Sequence, residues 1–74
     1  MRLQEVLPAL DDEGKVITRP KYYGWFKKCG QKLIYTWLDS YGLFSHMEIS
    51  LSSDDVFATD WRVEVEENLA FSLY

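Results

Sequence analysis

At 74 residues the chain has room for one domain, and a chain this short buries only about 60% of the surface its unfolded form exposes. A net charge of −4 argues against general nucleic-acid binding through a basic face. No apolar run approaches a membrane span, and a single cysteine, Cys29, excludes an internal disulfide and a structural zinc site.

The remaining composition is rich for so small a chain, 47% hydrophobic and 16% aromatic. One small core does not hide that much ring surface, and the exposed remainder of such a surface marks a partner or ligand site. A homo-oligomer is therefore expected. The opening MRLQEVLPALDDEGK lacks the apolar run of a secretory leader, so a cytoplasmic location is expected as well.

In chain order, Leu3, Val6, Leu7 and Leu10 fall at i, i+3, i+4 and i+7, the apolar stripe of an amphipathic helix. Pro8 shortens this helix or sits in its first turn, and Gly14 suits a left-handed stop. KVITR (residues 15–19) alternates and is β-branched, which predicts a strand closed by Pro20. Residues 21–30, with Tyr22, Tyr23, Trp25 and Phe26, read as an irregular aromatic loop. QKLIYTWL (residues 31–38) is apolar on both faces, which predicts a strand inside the sheet. DSYG is a turn, and residues 43–51 alternate as a third strand, antiparallel to the second.

SSDDVFATDW (residues 52–61) sets three aspartates beside a tryptophan. Ser52 and Asp55 resemble a capping box, and Asp54 and Asp55 then occupy a first helical turn, where the macrodipole favours acids. DWRVEVE (residues 60–66) alternates as a fourth strand, with Trp61, Val63 and Val65 inward. The tail, residues 67–74, keeps a period of two through Leu69, Phe71 and Leu73, which predicts a further strand docking on a neighbouring subunit. The expected fold is α+β: a small, mainly antiparallel four-stranded sheet with an N-terminal helix and a short helix before the last core strand, all within residues 1–66.

Charge is segregated along the chain. Residues 14–38 hold six basic side chains (Lys15, Arg19, Lys21, Lys27, Lys28, Lys32) and no acidic one, and all twelve acids lie outside. Two readings follow: a local anion site on an acidic protein, or a basic middle that faces the acidic flanks. Catalytic chemistry finds little support. His46, the one histidine, adjoins Ser45 on a strand, so the two side chains point to opposite faces. No zinc, calcium or phosphate-loop spacing occurs, and no metal site or cofactor is expected.

LQEVLPALDDEGKVITR near the start, the Gly24–Trp25 pair and SSDDVFATDWRV near the end, in this order of elements, resemble the phage proteins of the second Thoeris anti-defence family. The likeness spans residues 3–66 and rests most on Ala58, Asp60 and Trp61. It implies a symmetric oligomer that sequesters a cyclic ADP-ribose-type immune signal in the bacterial host cytoplasm without cleaving it. Some relatives of that family are linked instead to blocking CRISPR nucleases, so inhibition of a defence nuclease by an acidic surface is the alternative. Under the first reading Tyr23 or Trp25 supplies a plane for the base, Arg19 and Lys21 contact phosphates, and Asp60 accepts from ribose hydroxyls. Each has a structural alternative: Trp25 as a loop anchor, Arg19 as a strand-end charge, Asp60 as a turn residue.

Overall fold

Pro8 divides the N-terminal segment in two. The computed structural model describes residues 1–72. In it a single α-helical turn, α1 (Leu3–Val6), passes directly into a 3-10 helix at Leu7–Asp11 that carries Pro8 at its start. Proline lacks an N–H, and the first turn of a helical segment needs none. Leu3, Val6 and Leu10 are buried, while Leu7 of the predicted stripe is exposed. Gly14 turns the chain at φ 80°, a left-handed geometry that costs a residue without Cβ nothing.

Five antiparallel strands make the sheet: β1 (Lys15–Thr18), β2 (Trp25–Cys29), β3 (Lys32–Leu38), β4 (Phe44–Glu48) and β5 (Arg62–Val65), ordered β4-β3-β2-β1-β5. A short helix, α2 (Ser53–Phe57), precedes the last strand. The α+β class, the two helices and the antiparallel sheet are as the sequence predicts, with five strands in place of four. The additional one is β2, inside the segment expected to be irregular, and it occupies the centre of the sheet. Trp25 and Phe26 are adjacent and both buried, one on each face. A strand covered on both sides shows no alternation, so its signature is absent from the sequence.

One face, with Ile17, Phe26, Tyr35 and Val63, packs on Leu3, Val6, Leu10 and Trp61. Aromatic edges knit it: Phe26 meets Tyr22 at 5.0 Å, Tyr35 at 5.1 Å and Trp61 at 5.5 Å between ring centroids. On the opposite face lie Val16, Trp25, Thr36, His46 and Glu64, matched in register across the strands. The β3–β4 turn is held by Asp39, whose carboxylate accepts from the backbone N–H groups of Tyr41 and Leu43 and from the Ser45 hydroxyl.

The tail departs from the predicted strand. Glu66–Ser72 is a helix, α3, with Glu66 and Glu67 in its first turn, where the macrodipole favours acids. Glu66, Leu69 and Ala70 are half-buried, the i, i+3, i+4 spacing of one helical face. Leu73, on which the period-two reading partly rested, lies outside the described residues. Among the described residues no helix is long and apolar enough to cross a membrane.

Candidate functional site

The aspartates of residues 52–61 converge on one arginine. Arg19 leaves the end of β1 and is 8% exposed. Its Nη1 donates to Asp55 Oδ1 at 2.6 Å and to Asp54 Oδ2 at 3.4 Å, and its Nε donates to Asp60 Oδ1 at 2.7 Å. Asp55 is the buried member, 3% exposed. It also accepts from the Tyr22 hydroxyl, at 2.8 and 2.7 Å to its two oxygens, and from Ser52 Oγ at 3.0 Å. The capping box read from the sequence is present, and its acid is simultaneously a core ion-pair partner. The backbone carbonyl of Asp55 accepts from Trp61 Nε1 at 2.8 Å, while the Arg19 guanidinium lies 5.8 Å from the centroid of the same indole.

The electrostatics follow from these contacts. The Asp60 hydrogen bond does most to raise Arg19 above its ordinary value, against the opposing effect of burial, with Asp55 and Asp54 adding to the rise. Burial pushes Asp55 up, but the Tyr22 hydroxyl, Arg19 and Ser52 together outweigh it and hold the carboxyl below the usual range. Tyr22 is pushed up to about 12, first by burial and then by its bond to Asp55. Lys21 and then Arg19 lower Asp54, and Arg19 lowers Asp60.

The same pairing resolves the segregated charge. Lys15 meets Asp12, Arg19 meets Asp54, Asp55 and Asp60, Lys21 meets Asp54, Lys27 meets Glu66, Lys28 meets Asp11, and Lys32 meets Glu48. Every basic side chain of residues 14–38 therefore faces an acid from a flank. Of the two readings of the charge pattern, this is the second.

Of the five residues assigned to a ligand, Arg19, Lys21 and Asp60 are thus drawn into one internal network, and Tyr23 and Trp25 stand apart from it. Tyr23 is 63% exposed and Trp25 only 3%. Trp25 donates from Nε1 to Glu66 Oε2 at 2.7 Å, which ties α3 to the sheet. Two cavities flank this tryptophan. The smaller, about 290 Å³, is bounded by Tyr22, Tyr23, Trp25, Arg62, Glu64 and Leu69 together with residues 18–20. The larger, about 510 Å³, includes Lys27, Phe44, His46 and Glu66. Asp60 borders neither; it opens onto a third hollow beside Trp61.

Arg62 and Glu64 escaped the sequence reading, which placed them on an outer face with no role. Their strand register puts them on the same face as Trp25, because Arg62 pairs with Thr18 and Glu64 with Val16. The Arg62 side chain makes no hydrogen bond or ion pair among the described residues. The signal was the alternation itself: residues at i and i+2 of a strand share a face, and this face is only partly covered.

Ser45 and His46 point apart, Ser45 donating to Asp39 and His46 Nδ1 lying 2.9 Å from Thr36 Oγ1. Among the described residues no cluster of three His, Cys, Asp or Glu is placed to hold a metal ion. Comparison with protein-family models, curated proteins and solved structures finds no match for this chain.

Proposed function

We propose that the protein binds a small nucleotide-derived anion in the groove beside Tyr23 and sequesters it without cleavage, as a phage counter-defence protein acting in the cytoplasm of the infected host. One observation carries the reading: Arg62, a guanidinium with no partner of its own among the described residues, lines a concave site together with an exposed tyrosine ring and the Glu64 carboxylate. Guanidinium forks suit phosphate oxygens, tyrosine faces suit bases, with stacking worth about 1–3 kcal/mol, and acids accept from ribose hydroxyls. Arg62 and Glu64 thus take the roles first assigned to Arg19 and Asp60. A volume of about 290 Å³ lies near the lower end of small-molecule pockets, about 300–1,000 Å³, and suits one end of a dinucleotide-like signal. The resemblance to the Thoeris anti-defence proteins supports the cyclic ADP-ribose class.

Inhibition of a defence nuclease through acidic mimicry has less support, because seven of the twelve acids are drawn into ion pairs with the chain's own cations. The test is calorimetric titration of the purified protein with ADP, ADP-ribose and cyclic ADP-ribose. Binding is expected in wild type and lost in Arg62→Ala, with the melting temperature unchanged because the Arg62 side chain makes no hydrogen bond or ion pair among the described residues. Absence of binding to all three compounds sinks the reading. Binding that survives Arg62→Ala moves the site elsewhere.

A further inference from the structure

β5 borders the sheet on the side away from β4. Glu66 N–H donates to Gly14 O at 2.9 Å, which fixes the parity of the ladder with β1. In that register Val16 opposite Glu64 and Thr18 opposite Arg62 are hydrogen-bonded pairs, and alternate residues point the other way. The N–H groups of Val63 and Val65 and the C=O of Val63 therefore turn outward, where no strand lies among the described residues. Trp61 has the same parity and shows what this edge takes. Its N–H donates to Met1 O at 3.0 Å, and the Met1 ammonium donates to Trp61 O at 3.0 Å. Reciprocal bonds between two residues mark an antiparallel pair. Met1 thus stands where a further antiparallel strand would end, with the positions opposite residues 62–65 open ahead of it. A hollow of about 440 Å³ runs along them, bounded by Met1 and residues 60–64.

A strand entering this edge antiparallel to β5 points its C-terminal end at the Met1 ammonium. A chain that continues cannot pass, because Met1 already holds the place beside Trp61; only a segment that stops there fits. The charges agree. The ammonium gives two bonds, to Thr59 O at 2.8 Å and to Trp61 O, and retains a third N–H. Arg62, without a hydrogen bond or ion pair of its own among the described residues, flanks the same end. The Asp60 carboxylate nearby is held by Arg19, and Glu64 lies further along the strand.

The geometry points to this edge as a receptor for the free C-terminus of an extended peptide from another protein. The terminal residue lies opposite Val63 and exchanges both backbone bonds with it, a carboxylate oxygen serving as the acceptor. One residue's rise, about 3.3 Å, then separates the carboxylate from Met1, close to the span of a charge-assisted hydrogen bond. The third residue from the end gives its carbonyl to Val65 N–H. Directly opposed residues share a face, so the terminal and third-last side chains lie beside Val63 and Val65 and are apolar, while the penultimate one lies beside Glu64 and is basic. Strand addition and capture of a terminal carboxylate are both established recognition modes. This site is independent of the nucleotide groove, although Arg62 borders both.

The experiment is fluorescence anisotropy of a labelled peptide, GSGTVKV with a free C-terminus, titrated with nucleotide-free protein, so its failure leaves the nucleotide reading untouched. Binding is expected, with the C-terminal amide about tenfold weaker because the charge-assisted bond is lost. GSGTVEV, which sets an acid beside Glu64, is weaker as well. Val65→Pro removes an outward N–H and spares the bonds to β1, since an edge strand tolerates proline on its open side; it weakens binding while the melting temperature stays near that of wild type. Val65→Ala keeps the donor and binds as wild type does. Two residues added ahead of Met1 fill the edge and abolish binding. A free acid that does not bind wild type overturns the inference, and so do acid and amide that bind equally well. Binding undiminished in Val65→Pro overturns it too.

Discussion

Arg19 is nearly excluded from water and stays charged because three carboxylates and an indole face surround it. A buried ion pair of this kind gives little net stability relative to an apolar replacement, yet removing one member leaves a stranded charge. Asp55→Ala is therefore expected to cost about 3 kcal/mol, the low end of the range for a broken buried pair, because Asp54 and Asp60 still hold the guanidinium; urea unfolding measures it. The same group sets the acid limit. Its pKa in the fold lies below the ordinary 3.8, so its stabilisation is complete above that value and lost as the pH falls through the depressed one. Tyr22 works in the other direction. Its pKa rises from 10.0 to about 12, so its contribution is complete below pH 10.0 and lost as the pH climbs towards 12. In Tyr22→Phe the loss of stability over that alkaline interval should shrink; an unchanged alkaline profile would place the titration elsewhere.

At the scale of elements, the close approach of β2 to β3 depends on Gly24. Its N–H donates to the Tyr35 hydroxyl at 2.8 Å, and a Cβ at this position would collide with the backbone carbonyl of Thr36. Because that obstacle is backbone rather than a flexible side chain, the strands must part to admit a methyl group. Gly24→Ala should therefore lower the melting temperature, and it should disturb ligand capture too, since Gly24 adjoins Tyr23 in the groove wall. A variant with wild-type melting behaviour would show that the strands yield freely. The β3–β4 hairpin, the capped α2 and the strand β5 appear where the pattern puts them, although Val65, expected inward, is 41% exposed and Glu64, expected outward, is half-buried. β2 was not legible, because its buried part is the adjacent pair Trp25 and Phe26, one on each face, which leaves no alternation to read. α3 was not, because in ENLAF the spacings of two and of three to four coexist, and contact with the sheet selects the second.

Across the whole molecule, Trp61 joins the parts. It is 1% exposed, packs on Phe26 of the central strand, bonds the α2 backbone and lies under Arg19. Trp61→Ala is expected to cost about 3–5 kcal/mol, the usual range for a buried large aromatic, measured by chemical unfolding. A near-neutral result would mean that α2 and the sheet cohere without it.

The chain's own pattern determined its class, its N-terminal and capping helices, its hairpin and its buried tryptophan, because each depends on neighbours within a few residues. Tertiary structure decided which charges remain available. Lys, Arg, Asp and Glu look alike in a string whether or not a partner waits 30 or 40 residues away. Folding spent Arg19 and Asp60 on each other and left Arg62 beside Tyr23, since ion pairing depends on distance in space and the sequence records only distance along the chain.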